Sequence, residues 1–432
     1  MDEKSVSLRP ESQFARFAYT RRWPVVWLLF AASLINYLDR ATISISLPLI
    51  SRDLHLGPTD KGILLSAFFW SYALMQVPIG WSADRFNLRW LYAAAFAVWS
   101  LGQALAGAAK TLAFLIMTRI ILGIGESIYL PGGTKIVTLL FSSEERGFPC
   151  GIFDFGTRCG MTLGLLAVPL LLVHYGWRMT FVIVGAAALL WLIPWLAISP
   201  QRLGGKNFPG SPPETTAKAE VPASRQPLSR LWNRDLIGIC LGFFCFDYYW
   251  YLLVTWLPDY LVTARHLTVL RAGAYSAAPF LVFGVCEPVG GWIADRLIRL
   301  GFSENRTRKG MVTLGLLTGL FLIPAEHAAS PAATVWFIIG ASFVGLATGN
   351  LIVILQCCAP AEEVGLWTGF ENLFGNIAGV LAPLLTGILI SRTGSYSPGF
   401  DLAVFVLLAG IGFYWFVVGN LKAKKTVVAL DA

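Results

Sequence analysis

The chain has 432 residues, of which 56% are hydrophobic and only 13% charged, with a mean hydropathy of +0.64. Soluble domains carry about 25% charged residues, so this composition excludes a soluble globular protein and leaves an integral membrane one. The net charge of +8 does not point to nucleic acid, because the basic residues lie mainly in alternate loops.

Residues 1–22 are polar and basic and lead into Trp23, an interfacial anchor. Apolar runs long enough to span a membrane then follow one another, the first to about Ile50, then 61–82, 89–109, 112–140, 147–173 and 178–198. The first run is too long for a signal-peptide core and shows no small-residue cleavage site, so it is expected to be retained. Residues 199–232, with Phe208-Pro-Gly-Ser-Pro-Pro-Glu, cannot bury a core and read as a flexible linker. Six more runs follow at 234–262, 272–294, 309–327, 332–358, 363–391 and 398–420, before a tail at 421–432. The pattern predicts an all-α integral membrane protein of twelve transmembrane helices in two six-helix bundles, 23–198 and 233–420. Its long unbroken runs do not fit the alternation of an outer-membrane barrel.

Counted over the loops, 22 Lys and Arg fall on the side shared by both termini and the linker, against seven on the other. The positive-inside rule then places both termini and the linker in the cytoplasm, with the chain multi-pass in the cell (inner) membrane. The halves also repeat. Gly80-Trp-Ser-Ala-Asp-Arg85 recurs 211 residues later as Gly291-Trp-Ile-Ala-Asp-Arg296, and Glu144-Glu-Arg-Gly147 is echoed by Glu362-Glu-Val-Gly365. Pseudo-symmetric halves place a substrate site at their interface near the bilayer midplane.

Charges interrupt the apolar runs at functional cost. Asp39-Arg40 sits in the first segment, and Arg119 and Glu126 sit in the fourth, two turns apart and so about 10 Å along one face. Each costs roughly 2.5–3.5 kcal/mol at a membrane centre, so such residues mark sites by default.

The duplicated Gly-Trp-x-Ala-Asp-Arg sequences resemble the loop signature of the major facilitator superfamily, and the resemblance covers the whole chain. Asn36-Tyr-Leu-Asp-Arg40, Arg119-x-x-x-Gly-x-Gly-Glu126 followed by Pro131, Gly176-Trp-Arg178, Trp256-Leu-Pro258 and Asn372-Leu-Phe-Gly-Asn376 are similar to its anion:cation symporter branch. That branch includes bacterial carriers of hexonates, hexuronates, aldarates and aromatic acids, and the sialin and vesicular glutamate transporters. The resemblance implies a proton-coupled importer of a small organic anion, most simply a sugar acid, working by alternating access as a monomer in lipid, with no cofactor and no enzymatic activity. It further implies that Asp39 and Glu126 take protons while Arg40 and Arg119 hold the anion. Burial disfavours the charged form of a carboxylate, whereas Arg stays charged and presents a fork matched to one, so proton and anion binding favour each other. The Asp84-Arg85 and Asp295-Arg296 pairs, beside Gly80 and Gly291 for close helix approach, are expected to form a cytoplasmic latch that stabilises the outward-facing state.

Tyr37, Tyr72, Asn372 and Asn376 offer hydroxyl and amide groups suited to a polyhydroxylated acid, with Asn36 and Gln76 beside them; each serves equally well as an interhelical hydrogen bond. Gly156, Gly160 and Gly164 carry the small-residue spacing of a helix contact. On the same segment, Asp154 and Arg158 are four apart: either they neutralise each other, or Arg158 adds an anion contact. With Asp247, Glu287 and Glu371 the intramembrane acids number six against three central Arg, a balance that alone suggests a cationic substrate. Glu287 and Glu371 are expected towards the cytoplasmic side, which leaves the midplane Arg residues dominant. Phe246-Asp-Tyr-Tyr-Trp-Tyr251 reads either as packing and an outer belt or as a gate that stacks on a ring. No metal-ligand spacing occurs, the seven Cys are small apolar fillers, and the four His fall in or near outer loops, which argues against a histidine relay.

Overall fold

The computed structural model describes residues 13–141, 147–201, 203–204, 233–360 and 364–421. Most of the expected linker lies outside these residues, as do 1–12, the tail from 422, and the acidic echo at Glu144-Glu-Arg146 and Glu362-Glu363. Every element among the described residues is helical. The first part of the chain forms α1 (Gln13–Asp53), α2 (Pro58–Arg85), α3 (Leu88–Ala106), α4 (Leu112–Glu126), α5 (Tyr129–Leu140), α6 (Gly147–Leu189) and α7 (Leu192–Ile198). The second forms α8 (Arg234–Thr263), α9 (Val269–Arg299), α10 (Glu304–Thr318), α11 (Leu322–His327), α12 (Pro331–Ala341), α13 (Thr348–Cys358), α14 (Val364–Thr393) and α15 (Ser397–Gly412).

Local chemistry explains where these depart from the expected segments. Pro131 has no N–H to close a turn onto Ser127, and its ring crowds that carbonyl, so the fourth segment divides into α4 and α5 about residues 127–128. Gly176 is non-helical at φ 71° and ψ 169°, a conformation that costs glycine little, so α6 is two helices that meet at a kink there, as the fifth and sixth segments predict. Among the described residues ten helices are long and apolar enough to cross a membrane. One of them, Pro149–Ile198, has 50 residues. That is about 75 Å of helix, more than twice a ~30 Å hydrocarbon core. The 19-residue α3, which contains Arg89 and Gln103, is not among the ten.

Within the first part, α1 lies along α6, and α3 and α2 pack on α4; within the second, α8 contacts α14 and α15. The α1–α6 contact uses the Gly156/Gly160/Gly164 face as the spacing predicts. A Cβ on Gly164 would come within 2.7 Å of Ala41 Cβ, and one on Gly160 would run into the Leu34 backbone. The two parts meet along three main seams: α2–α14, α6–α9 and α1–α8. Large apolar side chains such as Leu74, Trp292, Phe405 and Phe416 stay exposed, the surface expected where lipid is the solvent.

Candidate functional site

The intramembrane charges converge. Asp39 on α1 and Glu126 at the end of α4 are fully buried, and Arg40 and Arg119 are 5% and 3% exposed. Arg40 Nη2 donates to Glu126 Oε2 at 3.5 Å. The Arg40 guanidinium also lies 4.7 Å from the centre of the Tyr37 ring, 4.6 Å from Phe68 and 5.4 Å from Tyr72. Arg119 shares the Phe68 ring at 5.1 Å. Desolvated cation–π contacts are worth about 2 kcal/mol each and help hold two cations in a small volume. α2 and α4 can come this close because Gly123 of α4 packs on Phe68 and Ser71 of α2, and Gly125 does the same on Trp99 of α3. Polar capacity is still left over: both Asp39 carboxylate oxygens, both Asn36 amide atoms, and Nε and Nη1 of Arg119 have no hydrogen-bond partner among the described residues. Trp99 Nε1 lies close to the Asp39 carboxylate without hydrogen-bond geometry.

Arg40 forms part of the wall of a central cavity of about 250 Å³ between the two parts of the chain. Of the expected substrate contacts, Tyr37, Arg40, Tyr72, Arg158, Asn372 and Asn376 line it. Arg119 does not. It lies behind Phe68, so side-chain packing and not the seven-residue spacing decides which Arg faces the cavity. Asp39 and Glu126 likewise sit behind the wall.

One further expectation is corrected. Asp154 and Arg158 do not pair: Arg158 Nε donates to Glu287 Oε2 at 3.0 Å, across the α6–α9 seam, while Asp154 Oδ1 accepts from Tyr129 OH at 3.2 Å. Glu287 and Glu371, expected towards the cytoplasmic side, line the central cavity together with Asp247. They do so because the cavity continues into two clefts, one on the α6–α9 seam that reaches Gly291 of the repeated motif, and one on the α2–α14 seam between Val77 and Asn376. A helical position well short of the motif end therefore still borders open space.

The Major Facilitator Superfamily profile matches residues 29–365. The chain belongs to the major facilitator superfamily. It is a transporter and not an enzyme. Over 93% of its length it is 30% identical to a probable galactarate/D-glucarate transporter of Bacillus subtilis, covering 92% of that protein. It is 29% identical over 93% of its length to a D-galactonate transporter of Escherichia coli O6:H1, covering 96% of it. A bacterial homologue of the human lysosomal transporter Spinster, in an inward-facing and occupied conformation, shares the fold with a TM-score of 0.76 at 20% identity, over 92% of this chain and 97% of that one.

The two faces of this transporter differ. On the face away from the motif, Lys61 Nζ on α2 donates to Asp259 Oδ1 and Oδ2 on α8 at 2.9 and 3.1 Å, and Tyr396 OH donates to Oδ2 at 2.6 Å. Ser44 Oγ on α1 bonds the Thr255 carbonyl at 3.0 Å, and a Cβ on Gly62 would lie 2.7 Å from the Pro383 carbonyl oxygen. That face is closed across the seams. On the motif face each aspartate pairs within its own part: Asp84 with Lys135 at 2.7 Å, and Asp295 with Arg308 at 3.0 Å. Arg85 lies over its neighbour Trp81 at 4.0 Å, and Arg296 has no ion-pair partner among the described residues. A Cβ on Gly80 or Gly291 would meet nothing within 4 Å, although α13 passes Gly291 closely enough that a Cβ on Gly349 would lie 3.7 Å from Gly291 Cα.

Sequence reasoning missed Lys61, Asp259 and Tyr396. Lys61 reads as a loop charge and Asp259 as a residue after the Trp256-Leu-Pro258 break. The signal was opposite charges at corresponding helix ends in the two parts, but a separation of 198 residues gives it no local mark.

Proposed function

We propose that the chain is a proton-coupled symporter that imports a small organic anion, most simply a sugar acid of the hexonate, hexuronate or aldarate class. The observation that carries this is Arg40: a guanidinium on the cavity wall, stacked on aromatic rings and held by a buried Glu126. Relatives named for galactarate, glucarate and galactonate transport support the substrate class.

In this reading Glu126 competes with the substrate carboxylate for Arg40. A proton on Glu126 removes its charge and frees the guanidinium for a bidentate contact with the anion. Asp39, buried beside it, is the second proton site, and Arg119 behind Phe68 stabilises the pair electrostatically without touching substrate. Tyr37, Tyr72, Asn372 and Asn376 meet hydroxyl groups. Twelve spans follow when Pro149–Ile198 counts as two about Gly176 and α3 crosses as well. The bundles are then 23–198 and 233–420, joined through 199–232, with both termini cytoplasmic in the inner membrane. The motif face is the cytoplasmic one and this structure faces inward. The latch built from Gly80, Asp84, Arg85 and their counterparts Gly291, Asp295 and Arg296 closes when the Lys61–Asp259 contact opens. The monomer is the working unit.

An aromatic carboxylate is the second reading, favoured by Phe246, Trp250 and Tyr251 on the cavity wall. Uptake of labelled galactonate and benzoate into proteoliposomes, with and without an inward proton gradient, separates the two. Galactonate accumulation only with the gradient is expected. Accumulation indifferent to the gradient refutes symport.

A further inference from the structure

The cavity's two guanidiniums stand on one wall, where Asp154 also lies, hydrogen-bonded to Tyr129. These guanidiniums, Arg40 and Arg158, come from the first part of the chain, and both already have carboxylate partners, Glu126 and Glu287. Opposite them stand Asp247 on α8 and Glu371 on α14, 8% and 5% exposed. Neither makes a hydrogen bond or ion pair with any described residue, and Glu371 Oε1 is fully enclosed without a partner. The glycine at position 375 makes room for the Asp247 carboxylate, since a Cβ there would collide with Oδ2. Arg158 and Arg40 face Asp247 across the cavity without touching it, and Asp247 is the charge that bears most on Glu371 among the described residues.

Two neighbouring carboxylates out of water, both opening on one cavity and with no cation in contact, are strongly disfavoured unless something neutralises them. Among the described residues no cation contacts either, which leaves a proton or a bound cation to neutralise them. We propose that Asp247 and Glu371 form a cation subsite, so that the acid carried by this transporter also bears a protonated amino group. Its carboxylate takes Arg40 on one wall while its ammonium donates charge-assisted hydrogen bonds to Asp247 and Glu371 on the other. This rests on the sugar-acid reading above and narrows it to amino-substituted sugar acids. It also removes the conflict between an excess of cavity acids and an anionic substrate, because the ligand carries both signs.

The test is calorimetric titration of the purified full-length protein with D-gluconate, D-glucosaminate and 6-amino-6-deoxy-D-gluconate, at one pH and ionic strength where the amines are protonated. At least one amino acid should bind about tenfold or more tighter than gluconate. That preference should shrink towards unity in Asp247→Asn and in Glu371→Gln, each checked for folding by thermal unfolding. The wild-type comparison stands whether or not a variant folds. Gluconate binding as tightly as both amino acids overturns the cation subsite and leaves the sugar-acid reading in place, as does a preference that survives both substitutions. Binding of none of the three defeats the sugar-acid reading and the subsite with it.

Discussion

Two arginine–glutamate pairs reach this cavity, and they are built for different work. Arg40–Glu126 lies within the first part of the chain, 6% and 0% exposed at 3.5 Å, with the carboxylate sealed behind the wall. Arg158–Glu287 spans the α6–α9 seam at 3.0 Å, and its side chains are 16% and 20% exposed. In the proposed mechanism a sealed pair that moves with one rigid body keeps its geometry as the halves rock, so it can store a choice between proton and anion. A wetter pair that bridges two bodies is stretched by the same motion, so it reports and biases conformation.

The largest effect should come from the sealed pair. Arg40→Ala leaves Glu126 buried and unpaired, a change worth about 3–5 kcal/mol. Uptake should therefore fall by about 100-fold or more while the protein still elutes as a monodisperse species; near-normal uptake would remove Arg40 from the substrate role. Next is the closed face. Lys61→Ala takes its only cation from the fully buried Asp259, leaving it Tyr396 OH at 2.6 Å and Thr263 Oγ1 at 3.4 Å among the described residues, and should destabilise this face by a similar amount. A cysteine placed at Ser44 should then react with a polar maleimide at least several-fold faster than in the wild type, and an unchanged rate would show that Lys61 does not hold that face shut. Glu287→Gln should act more weakly: with Arg158 released and the pair part-solvated, affinity for a carboxylate should rise a few-fold in equilibrium titrations. A loss as large as that of Arg40→Ala would erase the distinction between the pairs. The smallest effect belongs to Lys135→Ala. Its bridge to Asp84 is 38% and 64% exposed, and such pairs contribute about 0–1 kcal/mol, a shift of no more than a few degrees in thermal unfolding.

The fold was legible because its signals are long and redundant: apolar runs, a charge bias across loops, and a six-residue motif written twice. Asp39, Arg40, Arg119 and Glu126 were legible because charge inside an apolar run has no structural excuse. What the sequence hid were relations between distant residues. Asp154 and Arg158 share a helix face by spacing, yet the seam offers Arg158 a better partner 129 residues away. Arg119 and Arg40 look equivalent in one dimension, and only the packing around the shared Phe68 ring decides that Arg40 and not Arg119 lines the cavity. The depth of Glu287 and Glu371 depended on where the cavity opens, which no periodicity encodes.

The central claim is that Glu126 and the substrate compete for Arg40, with a proton settling the competition. Its direct measurement is the proton count on binding, taken in weakly buffered detergent solution with a pH electrode. Anion displaces Glu126 from Arg40, and the released carboxylate takes up a proton, so wild-type protein should make the medium more alkaline when galactonate is added, and affinity should fall as pH rises. Glu126→Gln should lose most of that proton uptake. Galactonate binding with no net proton uptake, or with uptake that Glu126→Gln leaves intact, would contradict the account.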